Sequence, residues 1–234
     1  MTPSFSLDES AAGLVLCLRR PPVNAVDLQA VLELEQAFGR CAGARSLILT
    51  GQGDAFCAGV DTRAFAAYGQ AERAALVLAI TRMTAALLAL PCPVVAAVNG
   101  HALGGGFVLM LCADYRLASD APGLKFGLTE ARAGIPFPAG PARIIRTELP
   151  PGLLRNLTLS SRVTGAAELH QALVLDGLCA PAALPEAAAR AASTLAAQPA
   201  FAAVKQQVRG ELAREVALLA RSNDDAFLGA FGGH

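Results

Sequence analysis

Apolar positions along the chain follow two rhythms. Mostly apolar runs predict a strand at 12–20 (AGLVLCLRR) and short buried strands at 46–51 (SLILTG) and 93–100 (PVVAAVNG). Between the first two, Leu28, Val31, Leu32, Leu34 and Phe38 recur at helical spacing behind Asp27, a residue type suited to an N-cap. Residues 69–90 predict a long helix ending before Pro91. PPVNAV (21–26) and QGDAFCAGVD (52–61) read as loops, and HALGGG (101–106) as a turn leading into a helix through Leu111. DYRLAS and LKFG predict short strands. From Thr129 onward the spacing is mostly helical, at 139–149, 151–159, 166–173, 186–197 and 199–221, with Pro181 and Pro185 bracketing an internal boundary. Two strand–helix units, further strands and then helices only predict a layered α/β core with a helical C-terminal extension. The tail NDDAFLGAFGGH carries Ala226, Phe227, Leu228, Ala230 and Phe231, too apolar for an exposed end. It is expected to pack on its own chain or on a neighbour.

Composition narrows the class. At 234 residues, 54% of them hydrophobic and 16% charged, the chain can bury a large core and suits one domain of moderate size, or one domain plus a small appendage. Nineteen basic residues balance nineteen acidic ones and the arginines are scattered, so no nucleic-acid surface is expected. Residues 94–113 approach the length of a membrane span, but Asn99, His101 and the glycines interrupt them, so no membrane partner is expected. The N-terminal MTPSFSLDES lacks the basic and apolar regions of a signal peptide. Six cysteines without a CxxC pair read as reduced thiols of a cytoplasmic protein, with neither disulfides nor a zinc site. Cys57 lies in the more interesting loop but has no nearby His to activate it.

Gly104, Gly105 and Gly106 are costly in a helix and want a reason. A dinucleotide fingerprint fails on spacing, and no lysine follows to make a phosphate loop. Two readings stay open. The glycines allow tight helix–strand packing, or they expose backbone N–H groups at a helix start that hold a negatively charged oxygen. Cys57-Ala58-Gly59, after another strand, is a candidate source of a second donor.

Four ordered segments, AFCAGVD, NGHALGGGF, CADYRLAS and FGLTEARAGI, together with PPVNAVDLQAVLELEQAF near the start, resemble the enoyl-CoA hydratase/isomerase (crotonase) family over about residues 12–180. The resemblance implies a crotonase-like spiral of ββα turns over 1–180 and a helical trimerisation region over 181–234. It implies an acyl-CoA thioester substrate, a homotrimer or dimer of trimers, and no separate cofactor, since coenzyme A arrives with the substrate. By the same comparison the oxyanion-holding N–H groups fall on Ala58 and Gly105. Gly59, Val60 and Asp61 line the CoA-binding loop, although Asp61 is equally suited to capping the turn that follows it.

The family's hydratases use two glutamates. One matches Glu130; the position of the other holds Val108, one turn beyond Gly105 and facing the same side. Valine neither holds nor activates water, so the resemblance points to a one-base isomerase moving a proton from C2 to C4 of a 3-enoyl-CoA, with Glu130 as the catalytic carboxylate. The expected substrate-binding set is thus Ala58, Gly59, Val60, Asp61, Gly105 and Val108. GIPFPAG after Glu130 is similar to isomerases, and Pro138 stands where dienoyl-type isomerases carry an aspartate. Hydrolysis or decarboxylation of an acyl-CoA, weak hydration, and a silent acyl-CoA-binding role are the alternatives. His101 and His170 read as structural, His234 as structural or solvated, Asp54 as turn chemistry, and Asp114 as fixing a turn or pairing with Arg116. Arg19 or Arg20 could reach CoA phosphates, and no metal constellation is expected.

Overall fold

The computed structural model describes residues 4–231. The strands are β1 (Phe5–Ser10), β2 (Gly13–Leu18), β3 (Leu47–Gly51), β4 (Ala55–Cys57), β5 (Val94–Val98), β6 (His101–Leu103), β7 (Tyr115–Ser119), β8 (Phe126–Gly127), β9 (Val163–Thr164) and β10 (Gly177–Cys179). The helices are α1 (Leu28–Arg40), α2 (Thr62–Ala67), α3 (Gln70–Leu88), α4 (Gly105–Leu111), α5 (Glu130–Ala133), α6 (Ala139–Glu148), α7 (Pro151–Thr158), α8 (Ala166–Gln171), α9 (Leu184–Ala196) and α10 (Phe201–Ser222).

One sheet has the order β1-β2-β3-β5-β7-β10 and the other β4-β6-β8-β9. Three successive strand pairs (β3/β4, β5/β6 and β7/β8) each place one strand in either sheet before the chain enters a helix, which is a spiral of ββα turns. The central strands β3 and β5, apolar but for Thr50, are parallel neighbours covered on both faces, as their apolar runs require. On one side lie α1, α3 and α4; on the other, Leu184, Ala188 and Ala192 of α9 pack against Ile48, Val95, Ala97 and Leu117. Asp27 does cap α1, its carboxylate accepting from Ala30 N–H at 2.8 Å.

Several elements depart from the sequence expectation. Polar residues of β1 hide a two-residue hairpin that pairs Phe5 with Leu18 and Ser10 with Gly13. The loop at 52–61 and the turn at 101–106 contain β4 and β6, three-residue strands too short to show alternation. The stretch beyond Thr129 is not helical throughout, since β9 and β10 add to the two sheets. The apolar tail docks on its own chain: Phe231 and Asp225 are each 4% exposed, and Asp225 accepts from Ala139 N–H at 2.6 Å. His234 lies outside the described residues.

Asp114 does not pair with Arg116. Its carboxylate takes Lys205 at 2.6 Å and Arg209 at 2.8 Å, both from α10, and the Val94 N–H at 2.9 Å. Arg116 turns instead to Glu148 and to the Leu111 carbonyl. Arg209 also bonds Glu148 and the carbonyls of Leu111 and Cys112, so α10 is pinned to the C-terminal end of α4. Such a buried charge cluster is stable only while every member is paired.

The cysteines are free; Cys41, Cys57, Cys92 and Cys112 are buried, and burial pushes the Cys57 thiol up to about 11, far from a nucleophile's range. No helix among the described residues is long and apolar enough to cross a membrane. No group of three His, Cys, Asp or Glu residues able to hold a metal occurs among them.

Candidate active site

Two short backbone segments meet where the sheets' carboxyl ends approach α4. The first is the loop after β4. Ala58 N–H donates to Val23 O at 3.0 Å, Val26 N–H donates to Gly59 O at 2.8 Å, and Asp61 N–H donates to Val26 O at 2.8 Å. Val26 and Val60 thereby form an isolated parallel bridge. In that geometry Val26 bonds the residues on either side of Val60, so the N–H of Val60 itself points away from Val26. Asn24 braces the arrangement, donating to Gln52 O at 2.9 Å and Ala55 O at 2.7 Å.

The Ala58 N–H, expected as an oxyanion donor, is engaged by the Val23 carbonyl. The free N–H on this loop belongs to Val60, which has no hydrogen-bond partner among the described residues. Sequence could not decide this, because the choice depends on which residues of 58–61 pair with residues 23–26. Neither Asn24 nor the carbonyl of Val23 was singled out by its sequence setting.

The second segment is the start of α4. Gly104 has φ +52°, and a Cβ there would lie 3.2 Å from Glu130 Oε1. Gly59 has φ +84°, and a Cβ there would lie 2.8 Å from Gly105 N. The two glycines bring the Val60 loop, the Gly105 N–H and the Glu130 carboxylate into one corner. Gly106 faces the other way, where a Cβ would come within 2.0 Å of Cys57 O; its role is the tight helix–strand packing that the glycine run also allowed. The packing reading of the run thus applies to Gly106, while Gly104 and Gly105 face the corner that holds Glu130.

Glu130 opens the single turn α5. Its Oε2 is buried with no hydrogen-bond partner among the described residues. Burial is the main cause that raises the carboxyl from 4.5 to about 7, against a small opposing effect of its own N–H. A carboxylate so placed, unpaired and near neutrality in its proton affinity, has the character of a general base.

Around it lies a cavity of about 110 Å³ walled by Ala58, Val60, Gly104, Gly105, Val108 and Glu130, and by apolar side chains of α3, the 135–138 segment and the tail. Among the described residues, Glu130 is the one ionisable side chain on this wall. Val108, 1% exposed, closes the side one turn beyond Gly105. Pro138 is also in the wall. Ala58, Val60 and Thr62 face a larger cleft of about 540 Å³ as well, so the two spaces adjoin there. Arg19, Arg20 and Arg63 line that outer cleft; Arg20 is held by Asp27 and by Ala25 O at 2.8 Å.

Gly59 stays behind the wall as a spacer. Asp61 lines the outer cleft and caps α2, accepting from the N–H groups of Arg63 at 2.9 Å and Ala64 at 3.1 Å. His101 accepts from Lys125 N–H through Nδ1 at 3.0 Å and takes no part in the cavity. His170 Nδ1 sits 3.0 Å from Leu175 O. The wall residues Phe65, Leu76, Val77 and Ile80 were not singled out in the sequence, and Phe231 was marked there only as part of an apolar tail expected to pack.

The family model described as enoyl-CoA hydratase/isomerase matches residues 8–229. The chain belongs to that family. It is 36% identical over 172 residues to a carnitinyl-CoA dehydratase of Proteus mirabilis, covering 72% of this chain and 65% of that protein. It is also 36% identical over 183 residues to a probable enoyl-CoA hydratase, EchA17, of Mycobacterium tuberculosis, covering 76% and 69%. The chain thus spans about two thirds of the length of these relatives. A solved enoyl-CoA hydratase from Bacillus anthracis superposes with a TM-score of 0.81 at 27% identity, covering 94% of this chain and 90% of that one. In this enoyl-CoA hydratase/isomerase family member, the two sheets, the helical C-terminal part and the crotonase-type fold agree with the architecture expected from the motifs.

Proposed function

We propose that the protein is an acyl-CoA double-bond isomerase whose one base is Glu130. The observation that carries this reading is the cavity wall, which holds a single ionisable group and a valine where a second carboxylate could otherwise face the substrate. The relatives named for dehydration and hydration add or remove water. With Val108 on the wall there is one carboxylate to move one proton, and no second group to position water.

In the proposed reaction the Glu130 carboxylate takes a proton from C2 of a 3-enoyl-CoA. The electron pair of the broken C–H bond enters a dienolate, whose oxygen is stabilised by the N–H groups of Val60 and Gly105. The protonated Glu130 then gives the proton to C4, and the double bond comes to lie between C2 and C3. A proton affinity near 7 suits a group that must both take and return the proton. The apolar wall excludes water from the dienolate. The adjoining cleft, with Arg19 and Arg63, offers room and positive charge for the coenzyme A moiety, so no separate cofactor is required. A cytoplasmic homotrimer or dimer of trimers completes the reading, supported by the family resemblance and checked by sedimentation.

Incubation with a 3-enoyl-CoA, following appearance of the 2-enoyl-CoA absorbance, is the direct test. Turnover is expected, with a loss of about 10²-fold or more in Glu130→Gln. Val108→Glu is expected to raise hydration of 2-enoyl-CoA above that of the parent. Rapid hydration by the unaltered protein, or undiminished isomerisation by Glu130→Gln, contradicts the assignment.

A further inference from the structure

The tail after α10 contributes directly to the cavity. Phe231, 4% exposed, belongs to its wall but not to that of the outer cleft. It ends a short 3-10 turn, Leu228–Phe231, seated on α3. The seat has three recorded ties. Asp225 accepts from the first N–H of α6 at 2.6 Å and from Phe227 N–H at 2.9 Å. Arg73 of α3 reaches the Phe231 carbonyl at 3.5 Å and lies 5.1 Å over the ring of Phe65, another wall residue. The rest of the wall on α3 is Leu76, Val77 and Ile80, with Phe137 from the segment before α6.

Ala58, Val60 and Thr62 border both the cavity and the outer cleft, on the side that carries the Val60 N–H. A thioester held there directs its acyl chain inward, toward wall residues that the outer cleft does not share. At about 110 Å³ the cavity is smaller than the ~150 Å³ of an apolar cavity that holds one benzene, so it has room for only a few acyl carbons. No side chain on the inner part of the wall offers a charge to an acyl substituent, Glu130 apart.

We propose that Phe231 is a specificity-determining residue, the inner stop of the acyl pocket, and that it restricts this protein to short, uncharged acyl groups. This rests on the reading of the cavity as an acyl-CoA site, but not on the reaction carried out there. A phenyl ring anchored through Asp225 and Arg73 is a firm stop rather than a loose end. Removing it opens space beyond the first few acyl carbons, and each methylene newly buried strengthens binding roughly three- to fourfold.

The test is equilibrium binding of saturated acyl-CoAs with four, eight and twelve carbons, which cannot isomerise, to the full chain and to Phe231→Ala and Phe231→Leu. Thermal melting of each variant verifies that it is folded. The unaltered protein is expected to bind the four-carbon thioester at least as tightly as the longer ones. Phe231→Ala is expected to shift preference toward eight carbons by ~10-fold or more, with Phe231→Leu between, and to leave the affinity for free coenzyme A unchanged. The same chain-length profile in all three proteins overturns the stop. So does tighter binding of twelve carbons than of four by the unaltered protein. Failure of isomerisation with this shift intact counts against the proposed reaction alone, whereas failure of every acyl-CoA to bind overturns both.

Discussion

Replacing Glu130 by Gln is expected to do two opposite things, each with its own pH dependence. The buried carboxyl has its proton affinity raised from 4.5 to about 7, mainly by desolvation. Between those values the unfolded chain gives up its proton before the folded one does, so the unfolded state binds fewer protons and stability falls as pH rises. The fall levels off above about pH 8, where the group is ionised in both states. A rise from 4.5 to about 7 corresponds to about 3–4 kcal/mol at most. Residual solvent access at the carboxylate brings the expectation to ~1.5–3 kcal/mol. Gln has the same shape and no such ionisation, and the cost of burying its amide is the same at every pH. The stability of Glu130→Gln relative to its parent should therefore climb by that amount between pH 4 and pH 8.5. Urea unfolding at fixed protein concentration reads it as a midpoint gap widening by roughly 1 M, for m near ~2–3 kcal/mol/M. Activity runs the other way: in the parent, turnover of 3-enoyl-CoA rises with pH through about 7 as the base ionises, and in the variant it is lost at every pH. A stability gap that stays constant with pH would show that the carboxylate is not desolvated, and the reasoning about its basicity would fall with it.

Two further perturbations test the supports of the site. Gly104→Ala places a methyl 3.2 Å from Glu130 Oε1 at a positive-φ position, and should lower kcat by ~10-fold or more while costing ~1–3 kcal/mol; parental kcat in a folded variant refutes the packing. Asp114→Ala leaves Lys205 and Arg209 facing each other without their carboxylate and should cost ~3 kcal/mol, measured by chemical denaturation, while an unchanged midpoint would mean that α10 does not depend on this cluster.

Read along the chain, the apolar rhythms located the long elements well, because β3, β5 and α1 carry their burial pattern in local spacing, while α3, buried on several sides, was marked by its length and by Pro91. Glu130, Gly105 and Val108 were legible as neighbours of one site through motifs, and they do share one cavity wall. The three-residue strands β4 and β6 escaped because they are stabilised by pairing with distant segments rather than by local preference.

The order of residues alone is enough for the α/β class, the glycine-rich start of α4 and the absence of a glutamate at position 108. It takes the folded chain to show that Val60 rather than Ala58 has its N–H free, since that rests on hydrogen bonds between residues 23–26 and 58–61. The same holds for Asp114 facing α10 and for Phe231 walling the cavity. Identity along a chain constrains which atoms are available; which of them remain unpaired, and what they face, is set by contacts between segments far apart in sequence, where local patterns carry no record.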